Sequence, residues 1–257
     1  MALDKKILYQ DVEKPGFKYP PTVTKEIEIR YSLAIQVARS KDILEVGFGA
    51  GHGIKNLITI CKSYHGIDYL EDNVNYVKQK FNSLTKTEVK IEQGDAHFLN
   101  IIDSSKDLVI AFAVIYYLDL KLFLNECHRV LRGEGTLIFC QTNPDCVNFN
   151  PSRNTINYYS YKQLKIKLKE FGFESKIYGI CENDLTSKKF VLIKNLIKTI
   201  PFMNLIILNF KKIFLFKKLA DKLEINSSLK DLDKLMEINE NSKKKVRILY
   251  VFAKKIV

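Results

Sequence analysis

The sequence predicts an α/β fold, doubly wound, with a mostly parallel sheet covered by helices on both faces. Three observations carry that expectation. Short apolar runs alternate with helical patterns along much of the chain, the signature of strand–helix units. Several runs, 107–111 above all (Asp-Leu-Val-Ile-Ala), lack the polar alternation of a half-exposed strand, as strands buried on both faces do. A glycine-rich turn, 47–53, joins the first run to the helical stretch after it. At 257 residues, 46% hydrophobic and 27% charged, the chain can bury one large core and carry an insertion.

The elements follow in order. Pro20 and Pro21 lead into a helix over 25–39, whose apolar residues Ile27, Tyr31, Ala34, Ile35 and Ala38 fall at helical spacing. The first strand is 42–46; the turn leads to a helix ending near Cys61, a second strand ending at Asp68 and a helix over 71–81. A third strand (89–91) and the buried fourth precede a helix capped by Asp119, carrying Leu120, Phe123, Leu124, Cys127, Val130 and Leu131, and closed by Gly133. Strand five is 136–141. Ser160 and Gln163 form a capping box for a helix that stops at Gly172, before strand six at 173–180. A seventh strand at 246–253 closes the series. The organisation is thus an opening segment and first helix (1–40), a core (41–183), an insertion (184–245) and a final core strand (246–257).

The insertion is dense in apolar residues, broken by lysines, and is read as helical: a lid, a dimer surface or an interfacial helix on anionic lipid. The net charge of +12 is concentrated in the last quarter of the chain. Residues 1–183 hold 24 Lys and Arg against 22 Asp and Glu, whereas 184–257 hold 17 against 7, which argues against a nucleic-acid surface spread over the core. No stretch reaches the roughly 18–20 apolar residues needed to span a bilayer, and the first residues lack the apolar core of a signal peptide. A cytoplasmic protein, monomeric or homodimeric, with peripheral contact at the inner membrane face as one role for the insertion, is expected. The five cysteines are widely spaced, and no metal-ligating spacing occurs among the histidines and carboxylates, so no metal is expected.

The sharpest motif is Glu45-Val-Gly47-Phe-Gly49-Ala-Gly51, at a strand-to-helix junction. Glycines there permit a tight turn and close approach of a ligand, and the helix start beyond offers free N–H groups. The dinucleotide form G-x-G-x-x-G fails in both registers, since the sixth position is His52 or Ile54. A plain strand-to-helix turn would look much the same. Asp68 follows Gly51 by 17 residues at the end of strand two, where a carboxylate can accept hydrogen bonds from both hydroxyls of a ribose, or simply cap a helix. Gln93-Gly94-Asp95-Ala96 follows strand three; Gly-Asp is also a turn signal.

With these three elements in order, the chain resembles the class I, Rossmann-like S-adenosylmethionine-dependent methyltransferases, of the bacterial small-molecule type, over about 42–181. The resemblance implies a seven-stranded sheet with its last strand antiparallel. It also implies S-adenosylmethionine as cofactor, S-adenosylhomocysteine as product, and methyl transfer to a small acceptor. By position, Gly47, Gly49 and Gly51 would lie against the methionine part, with Glu45 ordering the site. Asp68 would take the ribose, Tyr69 would pack on the adenosine, and Asp95 and Ala96 would contact adenine. The block Ala111-Phe112-Ala113-Val114-Ile115-Tyr116-Tyr117 also looks like the family's, with Phe112 beside the cofactor.

Many relatives place a histidine near Tyr116 and Tyr117; here two tyrosines stand there, as groups that orient the acceptor or take its proton, or as packing. In-line transfer from a sulfonium asks mainly for positioning, with a base only for a poorly acidic hydroxyl. Asn143 is a candidate acceptor contact. The opening segment resembles a lid that would bring Tyr9, Tyr19 and Arg30 to the acceptor. The lysines suggest an anionic metabolite or surface-glycan precursor, methylated on O or N, as in polysaccharide biosynthesis. The alternatives are a lipid or quinone methyltransferase on a membrane surface and a cofactor-binding scaffold without turnover.

Overall fold

The computed structural model describes residues 16, 19, 21–81, 88–147, 149–151, 155–180, 235–239 and 246–256. Five α-helices run α1 (Pro21–Ala38), α2 (Ile54–Ile58), α3 (Glu71–Phe81), α4 (Leu120–Val130) and α5 (Tyr161–Glu170), with a 3-10 turn at Ile115–Tyr117. Eight strands run β1 (Asp42–Val46), β2 (Ser63–Asp68), β3 (Glu88–Gln93), β4 (Lys106–Phe112), β5 (Leu131–Thr142), β6 (Phe173–Gly179), β7 (Met236–Glu237) and β8 (Ile248–Lys255).

They form one sheet in the order β3-β2-β1-β4-β5-β8-β6-β7. β1 pairs parallel with β2 and β4, β2 with β3, and β4 with β5; β8 runs antiparallel between β5 and β6. The expected α/β sheet with an antiparallel last strand is therefore present. Its eighth member is the two-residue β7, paired with Tyr178 and Gly179 and lying inside the stretch read as an insertion. Such a strand carries no periodicity, so sequence patterning cannot find it.

Apolar residues alternate to the two faces. Leu44, Val46, Val109, Ala111, Leu137 and Phe139 pack with α4 and α5, while Ile43, Leu108, Ile110, Ile138 and Cys140 pack with α1, α2 and α3. Helix α4 is held at its start by Asp119, which accepts from the backbone N–H groups of Lys121 and Leu122, and α5 by the expected Ser160–Gln163 capping box. Gly133 does not end α4. The helix stops at Val130, Leu131 is already extended and pairs with Lys106, and residues 132–135 bulge before the register resumes at Thr136 opposite Leu108. A salt bridge from Arg132 to Asp107, 2.7 Å, pins the bulge.

Asp42 anchors the opposite edge of the sheet from the strand ends that build the cleft below. It accepts from Ser63 and Lys62 and pairs with Arg132. Burial alone would raise its pKa, but the hydrogen bonds from Ser63, Lys62 and Arg132 outweigh it and hold the carboxyl at about 2. Because the folded value lies below the unfolded one, this group stabilises the protein above about pH 4, and the contribution fades as pH falls toward about 2. Asp42→Asn is expected to cost about 1–2 kcal/mol at pH 7 and about half as much at pH 3, read from urea midpoints at the two pH values.

Candidate functional site

The site is built where β1, β2 and β4 end side by side. After β1 the chain turns through Gly47, whose N–H donates to the Ile67 carbonyl at 2.7 Å, and Gly49, whose N–H donates to Asp68 Oδ2 at 2.8 Å. Gly47 has φ +71°, and a Cβ there would stand 2.8 Å from a Val114 methyl, so only glycine suits this position. Gly51 faces away from the cleft: a Cβ on it would meet Val77 of α3 at 2.9 Å. The helix expected to run to Cys61 is the five-residue α2, entered from Gly53 without a side-chain cap.

Asp68, buried at the end of β2, is the hinge of the second wall. Its Oδ1 accepts from the Leu70 backbone N–H at 2.9 Å and from Asn73 Nδ2 at 3.2 Å, while Oδ2 takes Gly49. Burial raises its pKa, and the N–H bonds from Leu70 and Gly49 oppose that rise. Three of roughly four lone-pair positions are engaged, which leaves acceptor capacity on Oδ2 for one further donor rather than a free pair of oxygens.

The third wall follows β4. Ala113 takes φ +55°, a left-handed conformation uncommon outside glycine, and this turn brings Val114 against Gly47 and places Tyr117 on the 3-10 turn. Together Gly47, Gly49, Asp68, Tyr69, Leu70, Asn73, Phe112, Ala113, Val114 and Tyr117 line an open cleft.

The remaining candidates fall outside this lining. Glu45 is buried on the α1 face, its Oε1 accepting from the Tyr31 hydroxyl at 2.7 Å and its Oε2 from the Tyr64 hydroxyl. Asp95 Oδ1 accepts from the His97 backbone N–H and stands 2.7 Å from His97 Nδ1. His97 Nε2 accepts from the Asp119 N–H, so the proton resides on Nδ1 and is donated to Asp95. Ala96 is buried in the core beneath.

Tyr116 packs against Tyr117 and Tyr158, with ring centroids 4.6 and 5.2 Å away, and its carbonyl accepts from Ile156 and Asn157. Asn143 is fully buried and holds the backbone, donating from Nδ2 to Val246 and accepting from Asp145. Both ends of its amide are thus engaged by backbone. Arg30 is likewise buried on the sheet side of α1, close enough to the Tyr250 phenol to act on it electrostatically. Tyr19 reaches the turn, packing edge-on to His52 at 5.3 Å. Tyr9 lies outside the described residues, as do the rest of the opening segment before residue 16 and the insertion apart from 235–239.

Sequence reasoning missed Tyr31, Tyr64, Asn73 and Val114. Tyr31 reads as one more residue on a helix's buried face. Asn73, five residues after Asp68 at the start of a helix, carried a faint signal as an amide placed to bond a strand-end carboxylate. Among the described residues no group of three or more His, Cys, Asp or Glu could hold a metal ion, and no helix is long and apolar enough to cross a membrane.

Residues 44–139 match the family described as "Methyltransferase domain". A probable S-adenosylmethionine-dependent methyltransferase of Mycolicibacterium smegmatis is 31% identical over 154 residues, 57% of each chain. One of Mycobacterium tuberculosis is 33% identical over 127 residues, 49% of this chain and 44% of that one. The chain thus spans about half the length of the curated relatives it matches. Among solved structures, a possible histamine N-methyltransferase of Thermotoga maritima superposes with a TM-score of 0.56 at 14% identity over 91% of both chains. The [4+2]-cyclase SpnF superposes with 0.59 at 13% identity, over 95% of this chain and 85% of that one. At such identities the likeness is one of fold.

Gly47→Ala is expected to destabilise the protein by about 1–3 kcal/mol through its positive φ and the Val114 contact. Adding Val114→Ala should recover the steric part only, as a double-mutant cycle in urea would read.

Proposed function

We propose that this chain, whose core belongs to the class I S-adenosylmethionine-dependent methyltransferase family, transfers the methyl group of that cofactor to an O or N atom of a small acceptor beside Tyr117. The observation that carries the reading is the convergence of the Gly47–Gly49 turn, the Asp68 carboxylate and the Phe112–Tyr117 segment on one cleft. The residues present fit the cofactor. Gly47 and Gly49 bring bare backbone to the cleft wall, Asp68 Oδ2 retains capacity for a ribose hydroxyl, and Phe112, Val114 and Tyr117 offer apolar and aromatic surface. Asp95, fixed by His97, would take the adenine amino group.

Bound there, the cofactor supplies a methyl group on a sulfonium leaving group. The chain's own part is positioning and exclusion of water. Phe112, Ala113 and Val114 form an apolar wall, and Tyr117, which lines the cleft, is placed to hydrogen-bond the acceptor or receive its proton. Tyr116, within the aromatic cluster, supports Tyr117 instead. The acceptor we favour is uncharged, because the residues placed to meet it, Val114 and Tyr117, present apolar surface and a phenol. The anionic metabolite or glycan precursor finds its support in the lysines of 184–245 alone.

Titration calorimetry with S-adenosylmethionine and S-adenosylhomocysteine, beside NAD, tests the cofactor; binding of the first two and not the third is expected. Asp68→Asn should weaken both by about tenfold or more, since an amide cannot accept from Gly49, Leu70 and Asn73 together. For transfer, a panel of neutral phenols, alcohols and amines against sugar phosphates should show methylation in the neutral set. On that acceptor Tyr117→Phe should lower kcat by about tenfold or more while Tyr116→Phe stays within about twofold. Equal turnover by both variants would remove the phenols from the chemistry.

A further inference from the structure

We propose that Tyr31 is a positioning residue that keys the cleft: from α1, which precedes the family-matched segment, one side chain sets the glycine turn and the end of β4 against each other. The inference rests on the cofactor reading above. It starts from Glu45, which alternates with Ile43 to the α1 face of the sheet and lies almost wholly buried among apolar residues. A carboxylate there needs donors, because its desolvation is otherwise uncompensated. Two phenols supply them, Tyr64 on one oxygen and Tyr31, at 2.7 Å, on the other. Tyr64 belongs to β2 and is fixed by the sheet, paired with Ile43. Burial, with the Glu45 carboxylate adding to it, pushes the Tyr64 phenol well above the ordinary tyrosine range, which keeps it a donor. Tyr31 comes from a helix, outside the hydrogen-bond ladder of the sheet.

The ring of Tyr31 makes two further contacts. A Cβ on Gly53 would stand 1.9 Å from its carbons, so the ring fills the place that glycine leaves at the end of the turn. The same ring meets Phe112 edge-on, with centroids 5.3 Å apart, and Phe112 lines the cleft. Tyr31 therefore touches the strand that enters the turn, the residue that leaves it and the opposite wall. A shift of α1 would remove a donor from a buried carboxylate and empty the space over Gly53 at once, so helix position and cleft geometry change together.

The test compares wild type, Tyr31→Phe, Tyr31→Leu and, as a control for general destabilisation, Phe173→Leu, whose site packs on the opposite face of the sheet with α5. Two readouts are taken well below each Tm: calorimetric affinity for S-adenosylhomocysteine, and amide hydrogen exchange of 47–53. Tyr31→Phe should bind roughly tenfold more weakly and exchange faster in the turn, with β5 and β8 unchanged, and Tyr31→Leu should do so more strongly. Phe173→Leu should lower Tm and leave both readouts alone. Wild-type affinity and wild-type exchange in a folded Tyr31→Phe and Tyr31→Leu would overturn the proposal. Absence of binding by wild type would sink the cofactor reading instead, and the exchange measurement would then decide the role of Tyr31 by itself.

Discussion

The parallel pairing of β1 with β2 on one side and β4 on the other governs the rest of this molecule. Parallel strands end at the same edge, so whatever follows them is forced into proximity: the glycine turn, Asp68 and the Phe112–Tyr117 segment become neighbours although 70 residues separate the first from the last. The bond from Gly49 to Asp68 and the approach of Val114 to Gly47 are short-range consequences of that arrangement. Without the pairing neither would have a partner within reach. The apolar faces then decide which helices cover which side, and hence that α1 lies over the start of the turn.

Two buried carboxylates sit at this edge, and both are satisfied by the chain's own donors. Glu45 has its phenols, and Asp68 has two backbone N–H groups and an amide. Such groups favour one arrangement of their surroundings, because any displacement strands a charge in an apolar medium. The cleft walls are accordingly organised before a ligand arrives, which reduces what binding must spend on ordering. The likeness to a [4+2]-cyclase as well as to a possible N-methyltransferase is a reminder that the fold supplies such a cleft to more than one chemistry, and that the residues at its mouth make the difference.

Much of this was legible in the sequence. Continuous apolar runs gave β1 and β4, the spacing of α4 matched its buried face, and Gly47, Gly49, Asp68 and Phe112 do meet at the cleft. What escaped was contact at a distance in sequence. Nothing in the helical pattern of 25–39 distinguishes Tyr31, whose hydroxyl matters, from Ile27, whose burial is all it offers. Asn143 and Arg30 are buried for the converse reason: polar residues near a functional edge are as easily drawn inward to satisfy backbone or to lie under a helix. Gly133 signalled a helix stop, yet the pairing of Leu131 with Lys106 ended α4 first, a tertiary demand that overrides a local preference.

The antiparallel β8 has one more implication. Because it runs opposite to β5 and β6, its first residues, paired with Thr142 and Gln141, lie at the same edge where β6 finishes. Gly179 at the end of β6 and Ile248 at the start of β8 thus both stand at the edge that holds the cleft. The register of β5, β8 and β6 is set by their own pairing, so the chain between those two ends can change in length without disturbing it, and both of its anchor points stay beside the cleft.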